Sequence, residues 1–103
     1  MDEELKEKWL KALRSGDYKQ GRNALKTVTN RFCCLGVLAD IVNPKGWQKD
    51  GLEPNKYSWA RPKSTSFLPL NLISTDIQVQ LVNMNDSDGK SFTSIADWIE
   101  KNV

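Results

Sequence analysis

The sequence contains no histidine among its 103 residues. A cysteine nucleophile normally needs a histidine as its base, so this absence removes the usual forms of thiol catalysis. It also removes a common zinc ligand. The two cysteines, Cys33 and Cys34, are adjacent and have no further soft ligand with which to complete a tetrahedral site. We therefore predict no metal, no cofactor and no catalytic residue.

Several other signatures are also missing. There is no phosphate-binding loop of the Walker type and no dinucleotide fingerprint. The acidic segment "NDSDG" fails as an EF-hand, because aligning Gly89 to loop position six puts Met84 at the first ligand position and Ile95 at the last. No apolar run is long enough to span a bilayer, and "MDEELKEKW" is too charged for a signal peptide. We expect a cytosolic protein with no membrane contact.

The net charge is small, but the charged residues are unevenly distributed along the chain. The formal net charge is only +2, and the composition of 39% hydrophobic and 27% charged residues is typical of one soluble globular domain, here residues 1–103. Residues 17–31 nevertheless form a basic region with a single acid, Asp17, whereas residues 76–103 are mostly acidic. The cations of the basic region are Lys19, Arg22, Lys26 and Arg31.

Periodic apolar residues predict three amphipathic helices. Leu5, Trp9 and Leu13 recur at helical spacing within residues 2–14, and Gly16 follows as a stop. "SFTSIADWIEKNV" predicts a helix capped by Ser91. "STDIQVQLVNMN" fits a strand as well as a helix, and the helix is favoured because a serine or threonine at its start can cap it.

The run "FCCLGVLADIV" predicts a buried helix over residues 33–43 that ends before Pro44. Gly36 inside it lowers helix stability by about 1 kcal/mol relative to alanine, which indicates close approach of another element. Free cysteine is among the most buried residue types, so we interpret both thiols as core packing. A thiol-dependent regulator acting through Cys33 is the alternative.

The remaining segments predict a small β element. "ALKTV" and "RF" flank "TN" as a hairpin or an extended pair would. Residues 44–69 contain all four prolines and are predicted to form an irregular loop with short strands around "KYSWA" and "STSFL". The segment "NDSDGK" is predicted to form a turn. We predict an α+β domain of about four helices around the central helix 33–43, with a small antiparallel β element from residues 24–32 and part of 44–69.

The basic region is the best candidate for a binding surface, since its donors and an aromatic ring suit a phosphate, a nucleotide or an acidic protein surface. An ordinary solvated hairpin is the alternative. Asn85 and Asp86 either contact the ligand or fix the turn before the last helix. That last helix carries Asp97 and Glu100 where a DNA-reading helix would be basic, so sequence-specific DNA binding is not expected. The predicted ligand-binding residues are Tyr18, Lys19, Gln20, Arg22, Arg31, Trp47, Asn85 and Asp86.

Four blocks of the chain resemble a family of small, uncharacterised proteins of tailed bacteriophages and prophages. These blocks are "LKEKWLKALRSGDYKQGRNALK", "RFCCLGVLADI", "FLP" and "MNDSDGKSFTSIADWIEKN". Members of the family typically read KWxxALxSGxYxQG, then FCCLGVL, LP and LNDxGxSFxxIADWIE. Met84 stands where leucine is usual, Ala24 departs from the usual residue, and residues 44–65 lie outside the resemblance.

The resemblance implies a phage or prophage gene expressed in the cytoplasm of a bacterial host. Small phage proteins are commonly inhibitors or decoys, which by analogy favours a non-enzymatic binding module that captures a host protein or an anionic small molecule such as a nucleotide signal. A small histidine-free enzyme acting on nucleotides through arginine and aspartate is the alternative from another class. A homodimer that buries spare tryptophan surface is compatible with the sequence.

Overall fold

Four α-helices occur in the residues that the computed structural model describes, which are 1–59, 64–69 and 71–103. A π-helical turn, Asn83–Ser87, continues the third helix. Together with a small sheet, these helices confirm the predicted α+β class. The helices are α1 (Glu3–Ser15), α2 (Cys34–Val42), α3 (Thr75–Val82) and α4 (Phe92–Asn102).

Gly16 and Ser91 end and begin their helices as predicted, whereas Ser74, at the start of α3, makes no side-chain capping bond. The Asp2 carboxylate accepts the Leu5 backbone N–H at 2.9 Å, and Gly16 ends α1 in the left-handed region at φ 79°. At α4, the Ser91 hydroxyl accepts the backbone N–H of Ser94 at 3.2 Å. Short polar side chains and one glycine therefore fix both helices locally, as the sequence indicates.

Helix α2 is the buried centre of the molecule and contacts α1, α3 and the sheet. The Trp9 indole of α1 donates to the carbonyl of Cys34 at 2.9 Å. A Cβ added to Gly36 would lie only 2.7 Å from the carbonyl carbon of Leu25, and closer still to its oxygen, so only glycine fits. The prediction that another element approaches Gly36 is confirmed, and that element is the chain entering the sheet.

In the part of the chain that the structure describes, five very short strands form a mixed sheet in the order β1-β3-β2-β5-β4. Strand β1 pairs parallel with β3, and the other pairs are antiparallel. The predicted antiparallel element is therefore present, and the parallel edge strand adds to it. The strands are β1 (Lys19–Gln20), β2 (Lys26–Thr27), β3 (Arg31–Phe32), β4 (Trp47–Lys49) and β5 (Lys56–Trp59).

Residues 44–69 contribute β4 and β5 to this sheet. The predicted strand around "KYSWA" is β5, although Ala60 at its end and Pro62 beyond it lie outside the described residues. The segment "STSFL" makes only a single antiparallel bridge, between Trp59 and Ser64.

The segment "NDSDGK" differs from the predicted turn, because its first part belongs to the π-helical turn. Its backbone leaves the helix near Gly89, which has φ 65°. Asn85 is completely buried, which turn composition does not predict. Over the described ranges, no helix has the length and apolar character needed to cross a membrane.

Candidate functional site

Two of the predicted cations, Lys19 and Arg31, lie side by side and are called the basic pair below. The parallel register of β1 and β3 puts Lys19 directly opposite Arg31, so the two side chains share one face of the sheet. Both are exposed, and neither makes an ion pair or a side-chain hydrogen bond with any described residue. Arg22 is also exposed, and its guanidinium lies beside Gly89 rather than in the basic pair.

Tyr18 and Trp47 are brought together by an acid that sequence analysis missed. Asp40 accepts the Tyr18 hydroxyl at 2.7 Å on one oxygen and the Trp47 indole N–H at 2.9 Å on the other. The Phe32 ring lies between the two, with centroid distances of 5.0 Å to Tyr18 and 6.1 Å to Trp47. Asp40 is the single charged residue of α2, and that isolation within an apolar helix is the signal that marks it.

Burial, together with the hydrogen bond to Asp40, raises the pKa of Tyr18 well above its usual value of 10.0. The phenol is therefore neutral at physiological pH and acts as a donor to the carboxylate. The polar ends of Tyr18 and Trp47 are thus already engaged, and their ring surfaces are what a partner can contact.

An open cleft of about 620 Å³ adjoins the basic pair. Its size suits a small molecule. However, two carboxylates face it along with one cation, so its interior repels an anion more than the exposed basic pair does. The described residues that line the cleft are Asp17, Tyr18, Lys19, Thr29, Asn30, Phe32 and Asp40.

Gln20 and Asn85 form an internal polar network. The Gln20 amide donates at 2.8 Å both to Asn85 Oδ1 and to the carbonyl of Lys90. The Asn85 amide donates at 2.8 Å to the Gly21 carbonyl and to one oxygen of Asp86. These bonds connect β1 to the π-helical turn. Asn85 and Asp86 therefore have structural contacts in this segment, which is one of the two roles considered for them from the sequence.

The two thiols are core groups, as predicted. Cys33 is 4% exposed and Cys34 is fully buried. The Cys33 sulfur accepts the Gly36 N–H at 3.4 Å and so caps α2. Burial raises the pKa of Cys33 to about 12 and also raises the pKa of Cys34, so both remain protonated at neutral pH.

Cys33 also borders a cavity of about 230 Å³ near Asp86. The carboxylate of Asp86 further raises the pKa of Cys33 and does not activate the thiol. Within the described ranges, no cluster of three or more cysteine, aspartate or glutamate side chains is arranged to hold a metal ion.

The comparisons with known proteins identify a family but no activity. The family model described as a domain of unknown function (DUF8296) matches residues 1–103. The chain belongs to this family. No curated protein and no solved structure matches the DUF8296 chain.

In the DUF8296 chain, five of the eight predicted site residues divide according to whether their polar groups face outward or bond within the molecule. Lys19, Arg22 and Arg31 keep their charges free for an external anion, as far as the described residues show. Gln20 and Asn85 form their side-chain hydrogen bonds within the molecule. The arrangement suits binding, and its thiols are not poised for nucleophilic attack.

Proposed function

We propose that this protein is a non-enzymatic binding module of phage type, which captures an acidic surface of a host protein in the bacterial cytoplasm. The resemblance to phage and prophage proteins supports the setting. The free charges of the basic pair support the mode of binding. A counter-defence or decoy role is the biological consequence that we propose.

The observation that carries the proposal is the juxtaposition of Lys19 and Arg31 across β1 and β3. Two like charges on neighbouring strands repel each other, and an external carboxylate relieves that repulsion. The neighbouring Gln20 ties β1 to the rest of the fold by two hydrogen bonds of 2.8 Å, so the backbone of Lys19 is held in place before any partner arrives. Less ordering is then needed on binding.

An acidic protein surface fits this geometry better than a small molecule does. The basic pair is exposed on an open face, where it can meet carboxylates on another surface. In contrast, a small anion inside the adjoining cleft meets the carboxylates of Asp17 and Asp40.

The test is affinity capture from a bacterial lysate with matched charge variants. The double variant Lys19→Gln/Arg31→Gln removes the basic pair, and Lys11→Gln/Lys101→Gln removes two exposed lysines on α1 and α4. Both lower the formal net charge from +2 to 0. We expect wild type and the α-helical control to retain the same partner, released by added salt, while the basic-pair variant loses it. Equal capture by all three proteins would contradict the proposal.

A small-molecule version has one observation in its favour, the nucleotide-sized cleft beside Lys19. Isothermal titration with a panel of nucleotides separates the possibilities. Saturable binding without turnover that depends on the basic pair supports capture of a nucleotide signal. Appearance of product supports the histidine-free enzyme instead.

A further inference from the structure

Lys26 is held in an aromatic cage formed by Phe32, Trp47 and Tyr57. Its ammonium nitrogen lies 4.8 Å from the Tyr57 ring centroid, 5.4 Å from that of Trp47 and 5.5 Å from that of Phe32. The rings come from three different strands and the lysine is half-buried. Because cation–π contacts already hold this long side chain, little further ordering is needed when a ligand contacts it.

The caged ammonium has no counter-ion among the described residues. No described carboxylate lies within ion-pair distance of it, and no described acceptor takes one of its three N–H donors. Aromatic rings attract a cation through their quadrupole but supply no negative charge. A half-buried, fixed cation of this kind favours an anionic ligand.

A second cation shares the same face of the sheet. Lys26 is directly opposite Tyr57, and Tyr57 is directly opposite Lys49 in the next strand. Directly opposed residues point to the same side, so the Tyr57 ring lies between two lysines whose Cα atoms are roughly 10 Å apart, two strand spacings. Lys49 is exposed and forms no ion pair with a described residue.

This face is opposite to that of the basic pair. Arg31 and Phe32 are consecutive in β3 and so point to opposite sides, and Phe32 pairs with Lys26. The basic pair and the caged lysine therefore lie on different faces of the sheet, although the Phe32 ring of the cage also lines the cleft beside Lys19.

We propose that Lys26, Lys49 and the ring of Tyr57 form a binding site for a nucleoside monophosphate. Lysine is a well-established point-charge partner for phosphate, and Lys26 and Lys49 each supply one such charge on this face. Tyr57 is half-buried, and we propose that a base stacks on the part of its ring that the Lys26 ammonium leaves free. The site is independent of the proposed capture of an acidic protein.

The test is titration with AMP, with ribose 5-phosphate and adenosine as partial ligands. Binding is measured by calorimetry and by backbone amide shifts in ¹H–¹⁵N NMR. We expect saturable AMP binding with the largest shifts at Lys49 and Tyr57, and at least tenfold weaker binding of either partial ligand. Lys26→Met and Lys49→Gln each weaken AMP binding about tenfold, by loss of one charged contact. The matched control Lys11→Gln, on exposed α1, leaves it unchanged.

Two results overturn this site: no saturable AMP binding, or AMP binding that survives both lysine substitutions. Lys49→Gln is an exposed change and keeps the test valid if Lys26→Met fails to fold. The double variant Lys19→Gln/Arg31→Gln separates this site from the proposed function, because it should retain AMP binding while losing the captured protein. Loss of AMP binding in that double variant alone would place the nucleotide at the basic pair and refute the cage site.

Discussion

Replacing Asn85 by alanine tests whether the hydrogen bonds of this residue stabilise the folded state. Its side chain is completely buried and makes three hydrogen bonds of 2.8 Å, to Gln20, to the Gly21 carbonyl and to Asp86. Alanine removes all three bonds. Gln20 keeps its bond to the Lys90 carbonyl, but the described residues supply no other donor for the buried Gly21 carbonyl.

The expected loss follows from those contacts. Each net hydrogen bond contributes about 1 kcal/mol, and a buried acceptor left without a partner costs about 1–3 kcal/mol. Allowing for overlap between these terms, we expect the free energy of unfolding to fall by roughly 2–4 kcal/mol. For a domain of about 100 residues, this corresponds to a fall in Tm of roughly 8–30 °C.

Urea unfolding followed by circular dichroism measures this loss. The matched control is Asn83→Ala, in the same π-helical turn but exposed, for which we expect a change within about 0.5 kcal/mol. A loss below about 1 kcal/mol for Asn85→Ala, or one equal to the control, would refute the structural role of Asn85.

Three further predictions concern the core and its titrating groups. Gly36→Ala should lower the free energy of unfolding in urea by about 3 kcal/mol or more, because its Cβ meets neighbouring backbone, whereas Gly51→Ala, with open space around it, should be neutral. Because burial raises the folded-state pKa of Cys33 from 9.0 to about 12, its stabilising contribution is complete below pH 9 and declines from there to pH 12. Cys34 titrates in the same direction in both proteins, so the loss measured by urea unfolding at pH 10.5 should be about 2 kcal/mol larger in wild type than in Cys33→Ala. Asp40→Asn should lower the pKa of Tyr18 part of the way toward 10.0 in a spectrophotometric alkaline titration, since burial still raises it, and an unchanged titration would show that Asp40 does not contribute.

The helices were accessible from sequence because their signals are local. Asp2, Ser91 and Gly16 act within one turn of the helix ends that they fix. The burial of Cys33 and Cys34 was predicted from an apolar run with almost no charge. Gly36 within that run correctly predicted the close approach of another segment of the chain.

The sheet and much of the site depend on contacts distant in sequence. A strand of two residues such as β1 has no periodicity, and its parallel pairing with β3 follows from where the chain returns. Tyr18 and Trp47 were predicted as ligand contacts one by one, and Asp40 joins them only because the end of α2 meets β4. From sequence, Lys26 was only one cation of the basic region. The three rings that surround its ammonium group come from separate strands, so the cage is not visible in the sequence.

The proposal that this molecule works by holding an acidic partner is tested most directly by native mass spectrometry. The protein is isolated from bacterial cells at low salt, in parallel with Lys19→Gln/Arg31→Gln and the helical control Lys11→Gln/Lys101→Gln. We predict one additional protein mass that accompanies wild type and the control, and that is absent from the basic-pair variant. A bare chain in every preparation, or a complex that persists without Lys19 and Arg31, would contradict the account.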